Sequence, residues 1–74
     1  MPRFFFHTLD GQRYPDEEGT ELPDLVSARR KATRVVAELL KEQPDDFLGA
    51  GQLEVLVTDE QGRPVSRVDV SLSS

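Results

Sequence analysis

Three consecutive phenylalanines, Phe4-Phe5-Phe6, stand between Pro2 and the breaker pair Asp10-Gly11. The stretch Arg3 to Leu9 is rich in aromatic residues and free of helix breakers, so it reads as a β-strand. Successive side chains of a strand point to opposite faces. Phe4, Phe6 and Thr8 therefore share one face, and Arg3, Phe5, His7 and Leu9 the other. Large rings on both faces mean that both faces of the sheet need some cover.

A chain of 74 residues makes one domain, here residues 1–74. At that size folding buries only about 60% of the surface the unfolded chain exposes. The chain has no cysteine, which removes disulfides and thiolate zinc sites as staples. Oligomerisation is the remaining common remedy. The expected partner is therefore a second copy, as a homodimer, or another small protein.

The net charge of −5 argues against non-specific binding to nucleic acid or anionic lipid. No apolar run approaches membrane-spanning length, so no membrane association is expected. The phenylalanine run is too short for a secretory signal. With the lack of cysteine, this gives a cytoplasmic expectation.

Asp10-Gly11 predicts a two-residue type I′ hairpin turn, returning through a short strand at Gln12 to Tyr14 that Pro15 ends. Asp16 to Leu22 reads as an acidic loop pivoting on Gly19. Asp24 is a good helix N-cap. Leu25, Ala28, Ala32, Val35 and Leu39 then recur at helical spacing, with Val36 and Leu40 widening the stripe. The polar face carries Ser27, Arg30, Lys31, Arg34, Glu38 and Lys41, and Arg34 and Glu38 are spaced to pair. Pro44 stops the helix. Asp45 to Gln52 reads as a loop whose Phe47-Leu48 plugs the open end of the core.

Leu53 to Thr58 reads as a strand with Leu53, Val55 and Val57 on one face. Asp59-Glu60-Gln61-Gly62 makes a turn. The last strand runs from about Val65 to Leu72, with Val68, Val70 and Leu72 inward. An unbulged turn sets Thr58 opposite Arg63, Val55 opposite Ser66 and Glu54 opposite Arg67. The fold class is α+β, ordered β-β-α-β-β: a four-stranded antiparallel sheet with one helix packed on one face. Hairpin adjacency suggests that the first and third strands are central. The face away from the helix then shows Phe5, His7, Leu56 and Val65, too apolar a patch to stay wet.

Met1-Pro2-Arg3-Phe4-Phe5-Phe6-His7, Asp10-Gly11, Asp16 to Asp24 and Thr58-Asp59-Glu60-Gln61-Gly62-Arg63 together carry a resemblance that covers nearly the whole chain. It resembles a family of short bacterial proteins classed as a domain of unknown function. Members open M-P-R-[YF]-[YF]-F-H, continue through a D-G turn to D-x-E-G-x-E-L-P-D and an Ala-rich helix, and close with an E-V-x-D-E-x-G-R hairpin. Members often end in an apolar stretch closing on Pro-Phe, where this chain has Val68-Asp69-Val70-Ser71-Leu72. The resemblance implies a fold and a bacterial cytosol, and no mechanism. The order of elements is also similar to small antitoxin-type domains, an analogy of fold alone.

His7 is the only histidine. Ser66, Ser71 and Asp69 are candidate neighbours, but no nucleophile elbow accompanies it, so it reads as a strand or interface histidine. Asp16, Glu17, Glu18, Glu21 and Asp24 lack the ligand alternation of a calcium loop and read as a solvated loop plus a helix cap. No metal-ligand spacing, phosphate loop or catalytic carboxylate pair stands out, so no catalytic residue, metal or cofactor is assigned. Arg29, Arg30, Lys31 and Arg34 form the one basic patch, and no aromatic residue interleaves with it.

The leading expectation is a non-enzymatic interaction or regulatory module that self-associates through Phe5, His7, Leu56 and Val65. The second is a nucleic-acid-associated, antitoxin-like regulator that uses the basic helix face.

Overall fold

The phenylalanine run forms strand β1, Arg3–Leu9, with Phe4 and Phe6 buried and the alternate residues less so. The structure, a computed structural model, describes residues 1–73. After β1 come β2 (Arg13–Tyr14), β3 (Thr20–Glu21), α1 (Leu25–Glu42), α2 (Pro44–Ala50), β4 (Gln52–Thr58) and β5 (Pro64–Ser71). The class is α+β. The sheet is antiparallel in the order β2-β1-β4-β5, with β3 also pairing β1. Two small elements, β3 and α2, were not expected from the sequence.

The first hairpin departs from a two-residue type I′ turn. Leu9 pairs with Arg13, so Asp10, Gly11 and Gln12 make the loop. Only Gly11 has positive φ there, at 95°. A type I′ turn needs positive φ at both central residues.

α1 begins where the cap predicts. Asp24 is extended, and its carboxylate accepts the Ser27 N–H at 2.8 Å. Ala28, Ala32 and Val36 form the buried line of the helix. Two alanines at the contact let α1 settle closely over β4 and β5. Leu25, Val35, Leu39 and Leu40 flank that line, and the core is completed by Phe4, Phe6, Leu53, Val55 and Val57. Arg34 and Glu38 are not among the ion pairs of the described residues.

Pro44 does end α1, but it also opens α2, where its missing N–H costs nothing. Asp45 and Asp46 lie in the first turn, and Gly51 closes the helix at φ 78°. Phe47 packs against the core as expected, whereas Leu48 points outward and is 56% exposed.

The β4–β5 register differs from the unbulged expectation. Thr58 pairs with Pro64 rather than Arg63, and a further shift between Val57 and Thr58 sets Val57 opposite Ser66. Val55 then faces Val68, and Glu54 faces Asp69. Each irregularity moves the pairing by one residue. One shift would turn the apolar set of β5 away from the core, and the second turns it back. Leu72 lies beyond the strand and is 52% exposed, not inward.

Candidate functional site

With α1 packed on one side of the sheet, alternation places Arg3, Phe5, His7 and Leu9 of β1 on the other, which we call the outer face. The register sets Phe5 opposite Thr58, His7 opposite Leu56 and Leu9 opposite Glu54. Across β4, Leu56 faces Arg67 and Glu54 faces Asp69. The expected patch is thus partly assembled: Phe5, His7 and Leu56 lie together, each half-buried. Val65 is placed differently. It is the extra residue of the bulge and packs against the buried core, which Phe5 and Leu56 do not join.

The segment from Pro15 to Gly19 runs along the open edge of β1 between β2 and β3. Those two short strands pair with the two ends of β1, leaving its middle without a strand partner on that side. The Asp16 carboxylate fills the gap. One oxygen accepts the Phe6 N–H at 3.1 Å, and the other accepts those of Glu18 at 3.2 Å and Gly19 at 3.0 Å. Partial burial opposes ionisation of Asp16, but the bonds from Gly19, Phe6 and Glu18 and the nearby His7 outweigh it. Its pKa is held below the ordinary value. Gly19 lies at φ 72°, and a Cβ there would meet the Phe5 ring at 2.8 Å and the Phe4 carbonyl oxygen at 2.9 Å. The loop therefore covers part of Phe5.

His7 belongs to the same arrangement. Its Nδ1 accepts the Asp16 N–H at 3.1 Å, which places the proton of the neutral ring on Nε2. Nε2 then donates to Thr58 Oγ1 at 3.1 Å. Its partners are Asp16 and Thr58, not Ser66, Ser71 or Asp69. Both ring nitrogens are engaged in holding the loop to β1 and β1 to β4.

The basic patch divides. Arg29, Arg30 and Arg34 are exposed around Val26, Thr33 and Ala37, in a shallow depression on the solvent side of α1. Lys31 is half-buried, with its Nζ 5.4 Å from the centre of the Phe6 ring, and serves packing instead.

An outer-face cluster was not foreseen. Glu54 and Asp69 face one another across β4 and β5, and Arg67 reaches both, at 3.8 Å and 3.0 Å. Desolvation first, then a shared hydrogen bond with Asp69 and its charge, raise the pKa of Glu54, against the pull of Arg67. The expected register had set Glu54 against Arg67, which hid the like-charge pair. Among the described residues, no group of three or more His, Cys, Asp or Glu side chains is placed to hold a metal ion. No helix among them is long and apolar enough to cross a membrane.

Residues of the opening and of the Asp59–Arg63 turn also hold the backbone. Asp59 accepts the N–H groups of Gln61 and Arg63, each at 2.9 Å, and Gly62 turns the chain at φ 78°. Arg3 donates to the Glu18 carbonyl and pairs with Glu21, while its own N–H reaches Glu60. No curated protein and no solved structure matches the chain. A family model does, over residues 3–71, and by that match the chain belongs to the family described as Domain of unknown function (DUF6894).

Proposed function

We propose that the protein is a non-enzymatic interaction or regulatory module that self-associates, with the outer face of its sheet as a contact surface. The observation that carries this reading is one-sided cover. α1 packs over β4 and β5 on the inner side, while Phe5, His7 and Leu56 lie on the other and stay partly exposed. A small domain without staples gains stability by covering such a surface with a second copy. The engagement of both His7 nitrogens in structural bonds supports a role other than catalysis. The proposed setting is a bacterial cytoplasm, on the family resemblance and the lack of cysteine.

Sedimentation equilibrium tests the reading. Leu56→Asp puts a charge at the centre of the face and is expected to reduce the assembly size. An assembly unchanged by it counts against the face.

A second reading rests on Arg29, Arg30 and Arg34. None of the three joins an ion pair among the described residues, and together they make a cationic helix face suited to phosphates. Nucleic-acid binding by this face is expected to weaken steeply with salt and to vanish in Arg30→Glu/Arg34→Glu. Binding that survives both treatments removes this face from consideration.

A further inference from the structure

β5 closes the sheet on one side among the described residues, and at 8 residues it is a long edge to leave unpaired. Its pairing with β4 fixes which of its backbone groups face outward. The Leu72 N–H donates to the Gly51 carbonyl at 2.9 Å, while the Gly51 N–H closes α2 on Phe47; that one bond sets Gly51 and Leu72 in the phase of a hydrogen-bonded pair. Such pairs recur at every second residue of an antiparallel ladder. Leu53–Val70, Val55–Val68 and Val57–Ser66 are therefore bonded pairs. The N–H and C=O groups of Arg67, Asp69 and Ser71 point to the open edge.

We infer that two copies of this chain join edge to edge, β5 against β5, antiparallel about a two-fold axis at Val68. The charges along the strand select that register. Centred on Val68, Arg67 of each copy lies opposite Asp69 of the other, and these residues exchange the outward backbone bonds. A centre at Arg67 or at Asp69 would put like charges face to face, which is unfavourable. Val65 and Ser71 then lie opposite one another at the two ends.

Two observations made on the single chain fit this joint. Glu54 and Asp69 share one cation, Arg67. The second copy brings another Arg67 to Asp69 and frees the first for Glu54. Val65, Val68 and Val70 pack against the core yet remain partly exposed along the edge, where a second β5 covers them. The inference rests on the self-association reading and adds a joint distinct from the face. Edge pairing lays two outer faces side by side as one larger surface.

Charge exchange tests it. Arg67→Asp alone and Asp69→Arg alone each set like charges across the joint. Each is expected to weaken association on the order of tenfold or more in sedimentation equilibrium. An equimolar mixture of the two variants restores opposite charges at both positions and is expected to regain wild-type assembly. Singles that assemble like wild type, or a mixture that fails to recover, overturn the edge joint. A strand from a different protein on this edge would give no such rescue. Leu56→Asp, outside this joint, reports on the face independently. Amide exchange on the wild type needs no variant to fold. The Arg67 and Asp69 amides are expected to become protected as concentration rises, beside Val68 and Val70 protected throughout. Free exchange of Arg67 and Asp69 in the assembled protein overturns the proposal.

Discussion

At the scale of single residues, three aspartates hold the chain's own backbone. Asp16, Asp24 and Asp59 accept backbone N–H groups at a strand edge, a helix start and a turn. Asp16→Ala leaves the Phe6 N–H and two loop N–H groups without their acceptor, at an expected cost of about 2–3 kcal/mol. Denaturant unfolding checks this through a lowered midpoint at constant slope. The pH dependence has a definite sign. The folded pKa of Asp16 lies below its ordinary value of 3.8, so its ionised form favours the fold. That contribution is complete above the ordinary value and is lost as pH falls through the folded one. The melting-temperature gap between wild type and Asp16→Asn is therefore expected to be present at neutral pH and to narrow as pH falls below 3.8. Gly19→Ala combines positive φ with a clash on Phe5 and is expected to cost about 1–3 kcal/mol in the same unfolding assay. The sequence marked the loop as acidic but not which acid turns inward. The usable signal was an aspartate just before the turn glycine Gly19, since an aspartate can accept the N–H two residues on, here that of Glu18, as an Asx-turn. The role of His7 was not legible, because both its partners come from other segments.

Among the elements, those governed by period were legible and those governed by geometry at their ends were not. α1 announced itself through Asp24 and the line of Ala28, Ala32 and Val36. Asp24→Ala removes the acceptor of the Ser27 N–H and is expected to lower the midpoint of denaturant unfolding. α2 was missed because Pro44 was weighed only as a helix stop, although proline is favoured in a first turn. Asp45, Asp46 and Gly51 were the remaining signs of it. The β4–β5 register was missed because a single bulge at the turn breaks the agreement of the apolar faces and so argues for an unbulged turn, whereas two successive one-residue shifts leave the facing pattern unchanged. That error concealed the Glu54–Asp69 pair. Glu54→Gln removes one of two facing like charges and is expected to stabilise the fold near pH 7 by about 0.2–1 kcal/mol, measured by thermal unfolding.

For the molecule as a whole, hairpin adjacency suggested the order of the four foreseen strands without deciding it, and the structure has that order with β3 added on β1. What the sequence could not convey is how unevenly the sheet is covered, since that depends on where α1 settles and on how the Asp16 loop crosses the edge of β1. The central pair of strands also sets a condition on folding. His7 and Thr58, bonded across β1 and β4, are 51 residues apart in the chain. A fragment ending at Gly51 keeps β1, β2, β3 and both helices but lacks its central partner, and is expected to show little ordered structure by circular dichroism. During synthesis, the three phenylalanines of β1 leave the ribosome well before the strand that pairs with them. Contacts this distant in sequence form slowly, and exposed apolar strands are open to aggregation in the interval. The nascent chain thus has a period of vulnerability that lasts until β4 emerges, and its length is set by how fast the intervening residues are translated.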